Sequence, residues 1–325
     1  MHYSQQEKYE IIRLVEQSDL GVIRTLKQLR INKTTFYNWY NSYLENGYDG
    51  LKRKQNKQQT SWNKINEVDR GKVLEIALEK PELSSRELAW HITDNYRYYI
   101  SESSVYRILK ANGLITTPSF RVISASDSFH DKTTRVNQMW QTDFTYFKIY
   151  GWGWYYLSTI LDDYSRFIVS WELCSTMKAS DVKSTLDKAL YIANVPENNP
   201  PKLLSDNGSC YISNELADYL SEKEIKHVRG RPLHPQTQGK IERYHRSMKN
   251  VVKLDNYFSP GQLELKMEEF VKYYNYQRYH ESLENLTPAD VYYGHGEKKL
   301  KQRKKVKEKT LLERKKQFQK NQLYS

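Results

Sequence analysis

The chain has 325 residues, more than one small module needs and enough for two or three domains. Its 51 Lys and Arg against 39 Asp and Glu leave +12, a balance that favours a polyanionic partner, of which nucleic acid is the commonest. Two cysteines, Cys174 and Cys210, without CxxC or His-rich spacing, argue against a disulfide framework and a zinc site, and no apolar run nears the roughly 18–20 residues that span a bilayer. A soluble protein of a reducing cytoplasm, with no membrane partner, is the expectation.

Residues 4–46 read as three short helices. Ser4 caps the first, whose apolar positions are Ile11, Ile12, Leu14 and Val15; Val22, Leu26 and Leu29 line the second. In the third, Phe36, Trp39, Tyr40 and Tyr43 follow i, i+3, i+4, i+7 and form the buried face, which Gly47 ends. Lys33, Thr34, Thr35, Tyr37 and Asn38 then face outward at the end where a recognition helix meets DNA, although a plain three-helix bundle has the same pattern. After a basic polar stretch the pattern repeats. A helix over 67–80 buries Val73, Leu74, Ala77 and Leu78; Ser84 caps a second with Leu88, Ala89 and Ile92 inward. Ser101 precedes a third, stopped at Gly113, with Val105, Ile108 and Leu109 inward and Ser103, Ser104, Arg107 and Lys110 outward. Two trihelical units in tandem, each ending in a polar-tipped helix, favour DNA binding over the bundle.

From about residue 137 the texture changes to aromatic and β-branched. MWQTDFTYFKI and GWYYLSTILDDY, with Gly151 and Gly153 between them as a hairpin turn, and SRFIVSWEL make a three-stranded meander. A helix over MKASDVKSTLDKALYIAN, a buried strand at KLLSD, a helix near Asn214–Glu222, a short strand at Ile225–Val228 and helices at about 239–254 and 262–279 complete an α/β domain with a mixed sheet. Between Glu297 and Ser325 lie 12 Lys/Arg and 3 Glu, which is most of the net charge. Such a run reads either as a solvated, flexible tail or as a source of sequence-independent affinity for DNA.

Three carboxylates sit at telling places. Asp143 lies mid-strand among Trp140, Phe144 and Tyr146, where it is costly unless paired or metal-bound. Asp206 ends an apolar strand before the Asn207-Gly208 turn, and Glu242 opens a helix behind a loop. Three oxygen ligands converging on one side of a sheet suit Mg²⁺ or Mn²⁺. Taken singly, they also read as a satisfied core aspartate, a turn former and a helix-start charge. At 100° per residue, Glu242, His245, Arg246, Lys249 and Lys253 form one stripe, and Ile241, Tyr244, Met248 and Val251 another. A carboxylate running into cations is what a nuclease-like helix needs against phosphates, and Lys240 and Arg243 join that DNA-facing set.

WQTDFTYF, LLSDNGSCY and HPQTQGKIERYHRSMK resemble the three catalytic segments of retroviral-integrase-type DDE recombinases, especially bacterial insertion-sequence transposases. Asp143 and Asp206 are separated by 62 residues and Asp206 and Glu242 by 35, the latter a hallmark interval of that superfamily. LDDYSRFIVSW and YNYQRYHESLENLTPADVY extend the likeness over about residues 135–293. Gln238 and Tyr279 depart from the usual Asn and Pro, and neither touches the triad. The resemblance implies a multidomain chain: two all-α helix-turn-helix units, then an α/β RNase H-like (integrase) core with a mixed five-stranded sheet. The divisions are 1–50 and 64–115 for the helix-turn-helix units, 51–63 and 116–136 for linkers, 137–296 for the core and 297–325 for a basic tail.

The resemblance also implies catalysis with two Mg²⁺ or Mn²⁺ ions, Asp143 bridging both and Asp206 and Glu242 each completing one site, with Asp162 in support. The expected chemistry is hydrolysis at an element's end followed by joining of its 3′-hydroxyl to another phosphodiester, with no nucleotide cofactor. The expected partners are the terminal inverted repeats and target DNA, both double-stranded, and further copies of the chain in a synaptic complex associated with a bacterial nucleoid. The competing readings are a catalytically silent DNA-binding regulator derived from a transposase, and a simple nuclease.

Overall fold

A computed structural model describes residues 3–52, 61–115, 133–196, 198–230, 239–252 and 257–323. Most of the two linkers, Gln238 with the loop before the last core helices, and Lys253 lie outside the described residues. The chain divides into two compact units, Met1–Lys64 and Ile65–Ser325.

The first unit is α1 (Gln5–Glu16), α2 (Val22–Gln28) and α3 (Lys33–Asn46). Ser4 and Glu7 form a reciprocal capping box at α1, and the Asn32 side chain caps α3 through the Thr34 amide. Gly47 ends α3 at φ 63°, a left-handed conformation natural to glycine. Ile12, Val15, Leu26, Ile31, Phe36 and Leu51 make its core, with Trp39, Tyr40 and Tyr43 half-buried around it. Leu14, expected inside, is 53% exposed, because the core closes with Ile12 and Val15.

The second unit opens with α4 (Glu67–Glu79), α5 (Ser85–Asn95) and α6 (Glu102–Ala111). Ser84 caps α5 in a second capping box, with Glu87, and Ser101 caps α6. The aliphatic core runs through Val73, Ile76, Leu88, Ala89, Ile92, Ile100, Val105, Ile108 and Leu109. On α4 it is Ile76, one residue before the expected Ala77, that is buried, and Leu78 is 65% exposed.

The sheet follows: β1 (Met139–Ile149), β2 (Gly153–Asp162), β3 (Ile168–Cys174), α7 (Ala179–Ala193), β4 (Lys202–Ser205), α8 (Asn214–Glu222) and β5 (His227–Arg229). The order β3-β2-β1-β4-β5 has the first three strands antiparallel and β4 and β5 parallel to β1. Parallel neighbours need crossovers, which α7 and α8 supply. This is the mixed five-stranded sheet that the resemblance implies. Trp140, Ile160, Val169 and Leu203 pack on α7 and α8 on one face; Phe147, Leu157, Leu161 and Ile168 pack on α9 (Gly239–Val252) and α10 (Pro260–Tyr276) on the other.

After α11 (Pro288–Tyr292), residues 296–323 form one long helix, α12 (Gly296–Leu323). The flexible-tail reading is thereby overturned. The segment lacks an apolar stripe, and what holds it is polar: Arg303, Thr310 and Arg314 are its buried positions, at i, i+7 and i+11 on one helical face.

Candidate active site and DNA-facing helices

The strand register puts two of the three carboxylates on neighbouring strand lines. Gln141 of β1 is opposite Leu204 of β4 in a parallel ladder. Continuing that register by two residues sets Asp143 beside Asp206, on adjacent strand lines and the same face. The Asp206 Oδ1 accepts the Gly208 amide at 2.8 Å, which fixes the carboxylate at the strand's end. A Cβ on Gly208 would stand 3.0 Å from that oxygen, so the turn favours glycine by close approach. Asp143 Oδ1 accepts its neighbour Phe144's amide at 2.8 Å, and Oδ2 lies 3.3 Å from His245 Nδ1.

The fields of both carboxylates reach the same neighbours. Burial pushes the Cys210 thiol up to about 11, with Asp206 and then Asp143 adding to the effect. Burial likewise raises the Tyr211 phenol, and Asp143 and Asp206 add to it against a hydrogen bond shared with Thr142.

The helix bearing Glu242 is latched to the same sheet face. Gln141, two residues before Asp143, uses both ends of its amide: Oε1 accepts the Ile241 amide at 3.1 Å, and Nε2 donates to Asp163 Oδ1 at 2.7 Å. Lys240 closes the network, reaching Asp163 Oδ2 at 2.7 Å and the Asp163 carbonyl at 2.8 Å. Gln141 and Asp163 are buried, so this polar network is worth more than its surface equivalent and fixes where α9 begins. Glu242 is exposed in the first turn of α9. One turn on, His245 shares its face and touches Asp143.

The donor set has the chemistry a hard divalent cation takes, since all three side chains offer oxygen alone. Among the described residues, no three of His, Cys, Asp and Glu stand close enough to grip an ion.

Several expected residues sit differently. His245 is 6% exposed and turned inward, Lys240 is committed to Asp163, and Lys249 is half-buried with its ammonium 4.8 Å from the Tyr146 ring centre. Arg243 and Arg246 are exposed, so the single cationic stripe of α9 becomes separate surfaces. Asp162 is fully buried and turned to the β2–β3 turn, accepting Ser165 Oγ at 2.6 Å and the amides of Ser165 and Asn137 at 2.8 Å. Burial raises its carboxyl, and those bonds oppose the rise. Of the Asp162-Asp163 pair it is Asp163 that reaches α9. The signal for the missed Gln141 was its position, one alternation before Asp143 on the same strand face.

On α3, Lys33, Thr34, Thr35, Tyr37 and Asn38 are all exposed, with Lys33 5.9 Å from the Tyr37 ring centre. On α6, Ser103, Arg107 and Lys110 are exposed. Ser104 is half-buried, held by Ser101 Oγ at 2.9 Å, and Arg107 folds back to the Ser103 carbonyl at 3.0 Å.

Residues 133–235 and 223–288 match models of the integrase core domain, and residues 2–52 and 35–109 match models of a homeodomain-like domain. The chain is 30% identical over 116 residues to the Gag-Pro-Pol polyprotein of Simian retrovirus SRV-1, covering 36% of this chain and 6% of that one. It is 26% identical over 262 residues to the transposase of transposon Tn552 from Staphylococcus aureus, covering 73% of this chain and 54% of the relative. It therefore spans a small fraction of the polyprotein and about half of the transposase. A solved HTLV-2 integrase catalytic core domain in complex with magnesium aligns with 49% of this chain and 97% of its own, at 20% identity and a TM-score of 0.39. The chain is thus similar to integrase core domains over residues 133–288 and to homeodomain-like domains over residues 2–109, and to a bacterial transposase and a retroviral polyprotein over part of their lengths.

Proposed function

We propose that the protein is a DNA transposase that binds the terminal repeats of a mobile element and cuts and joins DNA strands with Asp143, Asp206 and Glu242. The observation that supports this reading is the β1–β4 register, whose last pair, Gln141 with Leu204, stands two residues before Asp143 and Asp206, on the face to which Gln141 latches the start of α9. The described residues fall into two helical modules ahead of this core, which suits end recognition better than unspecific cleavage.

In this reading Asp143 and Asp206 hold divalent cations, Mg²⁺ or Mn²⁺, and Glu242 joins them from α9. When bound, two such ions supply an activated water or 3′-hydroxyl and stabilise the departing 3′-oxygen. The chain's own part is placement. The Gly208 amide holds Asp206, the Phe144 amide and His245 hold Asp143, and the Gln141–Asp163–Lys240 network fixes the origin of the helix that carries Glu242. Arg243 and Arg246, exposed on α9, meet the DNA backbone, while the exposed faces of α3 and α6 reach the terminal repeats. Among the described residues no helix is long and apolar enough to cross a membrane. The protein works on double-stranded DNA in a bacterial cytoplasm, with more than one copy pairing the element's ends.

Metal binding tests the site without requiring turnover. Calorimetric titration of Mg²⁺ or Mn²⁺ into the full chain with duplex DNA is expected to show weak binding that Asp143→Asn removes. Binding equal in wild type and variant would contradict the assignment of these carboxylates and favour a DNA-binding regulator.

A further inference from the structure

The basic residues of α12 are sorted by type. Its two arginines point inward: Arg303 is 5% exposed and Arg314 8%. Arg303 makes a two-pronged contact with Asp94 of α5, both bonds 2.7 Å, and stacks 4.5 Å from the Trp90 ring centre. Arg314 stacks at 4.9 Å on Tyr98, donates to its hydroxyl at 2.6 Å, and donates to the Tyr99 carbonyl at 2.8 Å. Between them the Thr310 hydroxyl accepts the Tyr99 amide at 3.0 Å. Planar guanidinium groups suit such forked and stacked contacts. Lys299 joins this inner side, at 2.7 Å from Asp290.

The remaining lysines, Lys298, Lys301, Lys304, Lys305, Lys307, Lys309, Lys315, Lys316 and Lys320, are all exposed. Most fall on the side of the helix opposite Arg303, and a helix of 28 residues extends about 42 Å, longer than one turn of duplex DNA. Glu308 and Glu297 are the acidic residues that share this side. Compact, flexible ammonium groups suit phosphates whose position is not fixed in advance. The face does not suit insertion into a lipid surface, since Leu312 is the one large apolar side chain that the described part of α12 exposes. The place of the helix matters as much as its charge. Two residues beyond Tyr99, where α12 is pinned, Ser101 caps α6, the helix that carries Arg107 and Lys110.

We infer that α12 is a second DNA-binding surface of this unit, a lysine track that the buried arginines hold against α5 and the Tyr98–Tyr99 segment leading into α6, so that it binds the phosphate backbone of duplex DNA independently of sequence. The inference rests on the DNA-binding reading above and adds to it a surface outside both the recognition helices and the carboxylate site. The two faces of α12 divide the work: the inner face grips α5 and Tyr98–Tyr99, and the outer face is left to the polyanion.

The test uses the full chain and a random-sequence duplex of about 40 base pairs, with binding followed between about 50 and 200 mM salt. One variant carries Lys304, Lys305, Lys309, Lys315 and Lys316 all changed to Gln. A charge-matched control carries Lys178, Lys202, Lys223, Lys226 and Lys272 changed to Gln. Each phosphate interaction removed lowers the salt slope by about 0.9, so the α12 variant is expected to lose up to about 4.5 from the slope and at least about tenfold in low-salt affinity. The control is expected to stay near wild type. Equal behaviour of the α12 variant and wild type, or equal losses in both variants, would overturn the inference while leaving the transposase reading standing. A wild type that binds no duplex at any salt would overturn both.

Discussion

The two helical modules are built on one plan and stabilised by different chemistry. In the first, every core residue comes from residues 3–51, and aromatic side chains carry much of it: Phe36 stacks on Tyr40 at 5.7 Å, and Tyr3 meets Trp39 edge-on at 5.1 Å. In the second, an aliphatic core is supplemented from far along the chain by Arg303, Thr310 and Arg314. A module of some fifty residues buries little apolar surface, so outside support is a large fraction of its stability. A stretch rich in lysine is held in place as a helix because a few of its positions are spent on buried, fully bonded contacts. The same contacts tie the second module to the integrase core, since Arg303 also donates to the carbonyls of Asn285 and Glu284.

The comparison is broken most severely by removing the long-range support. Arg303→Ala leaves Asp94, whose side chain is 10% exposed, without its forked partner, and is expected to cost about 3–5 kcal/mol. Urea denaturation of the full chain should then show the second module unfolding earlier and the first unmoved. A single transition with an unchanged midpoint would mean that the contact contributes little. The reciprocal change is Phe36→Ala. Truncating a side chain only 2% exposed is expected to cost about 3–5 kcal/mol in the first module alone.

Acid should separate the two as well. His280 lies in the loop that receives Arg303, and burial, then Arg278, Arg166 and Arg86, push its pKa down to about 3. A histidine held neutral in the fold contributes stability in full above its unfolded pKa. That contribution fades as pH falls from about 6.5 toward 3, because the unfolded chain takes up the proton first. Stability of the second unit should therefore drop over this window by up to a few kcal/mol, and His280→Gln should flatten the drop. The first module's core contains no histidine and should be indifferent over the upper part of that window. Smaller still are the effects of the recognition faces. Lys33→Ala with Asn38→Ala, and Arg107→Ala with Lys110→Ala, are expected to weaken binding to element ends by about 1–3 kcal/mol for each base-edge interaction removed. Filter binding with end and scrambled duplexes distinguishes lost specificity from a uniform loss, which would assign those residues to phosphates.

Most of the fold was legible because its elements obey simple periods. β1 was read to the residue from the aromatic and β-branched run MWQTDFTYFKI, and the caps Ser4, Ser84 and Ser101 and the stops Gly47 and Gly113 stand where their chemistry puts them. Leu14 and Leu78 were misplaced because helical spacing allows two adjacent faces and the core takes one. Helix α12 escaped notice for a clearer reason. Hydrophobic periodicity cannot register a face made of Arg, Thr and Arg. The placing of Arg at 303 and 314 within a run of lysines, with Thr310 between them, was the available clue. At the candidate site, the carboxylates and their strand positions were visible in the sequence. The inward turn of His245 and the commitment of Lys240 to Asp163 were not, since a helical wheel gives direction but not which neighbour lies there.

The central claim is that Asp143, Asp206 and Glu242 cut and join DNA, and a strand-transfer assay tests it most directly. Full-length protein would be incubated with labelled duplexes from the ends flanking its own reading frame, with Mg²⁺ or Mn²⁺, beside Asp206→Asn. The account predicts nicked and joined products from the wild type and a loss of at least about a hundredfold in the variant. Tight end binding with no cleavage in either metal, or equal cleavage by both proteins, would contradict it.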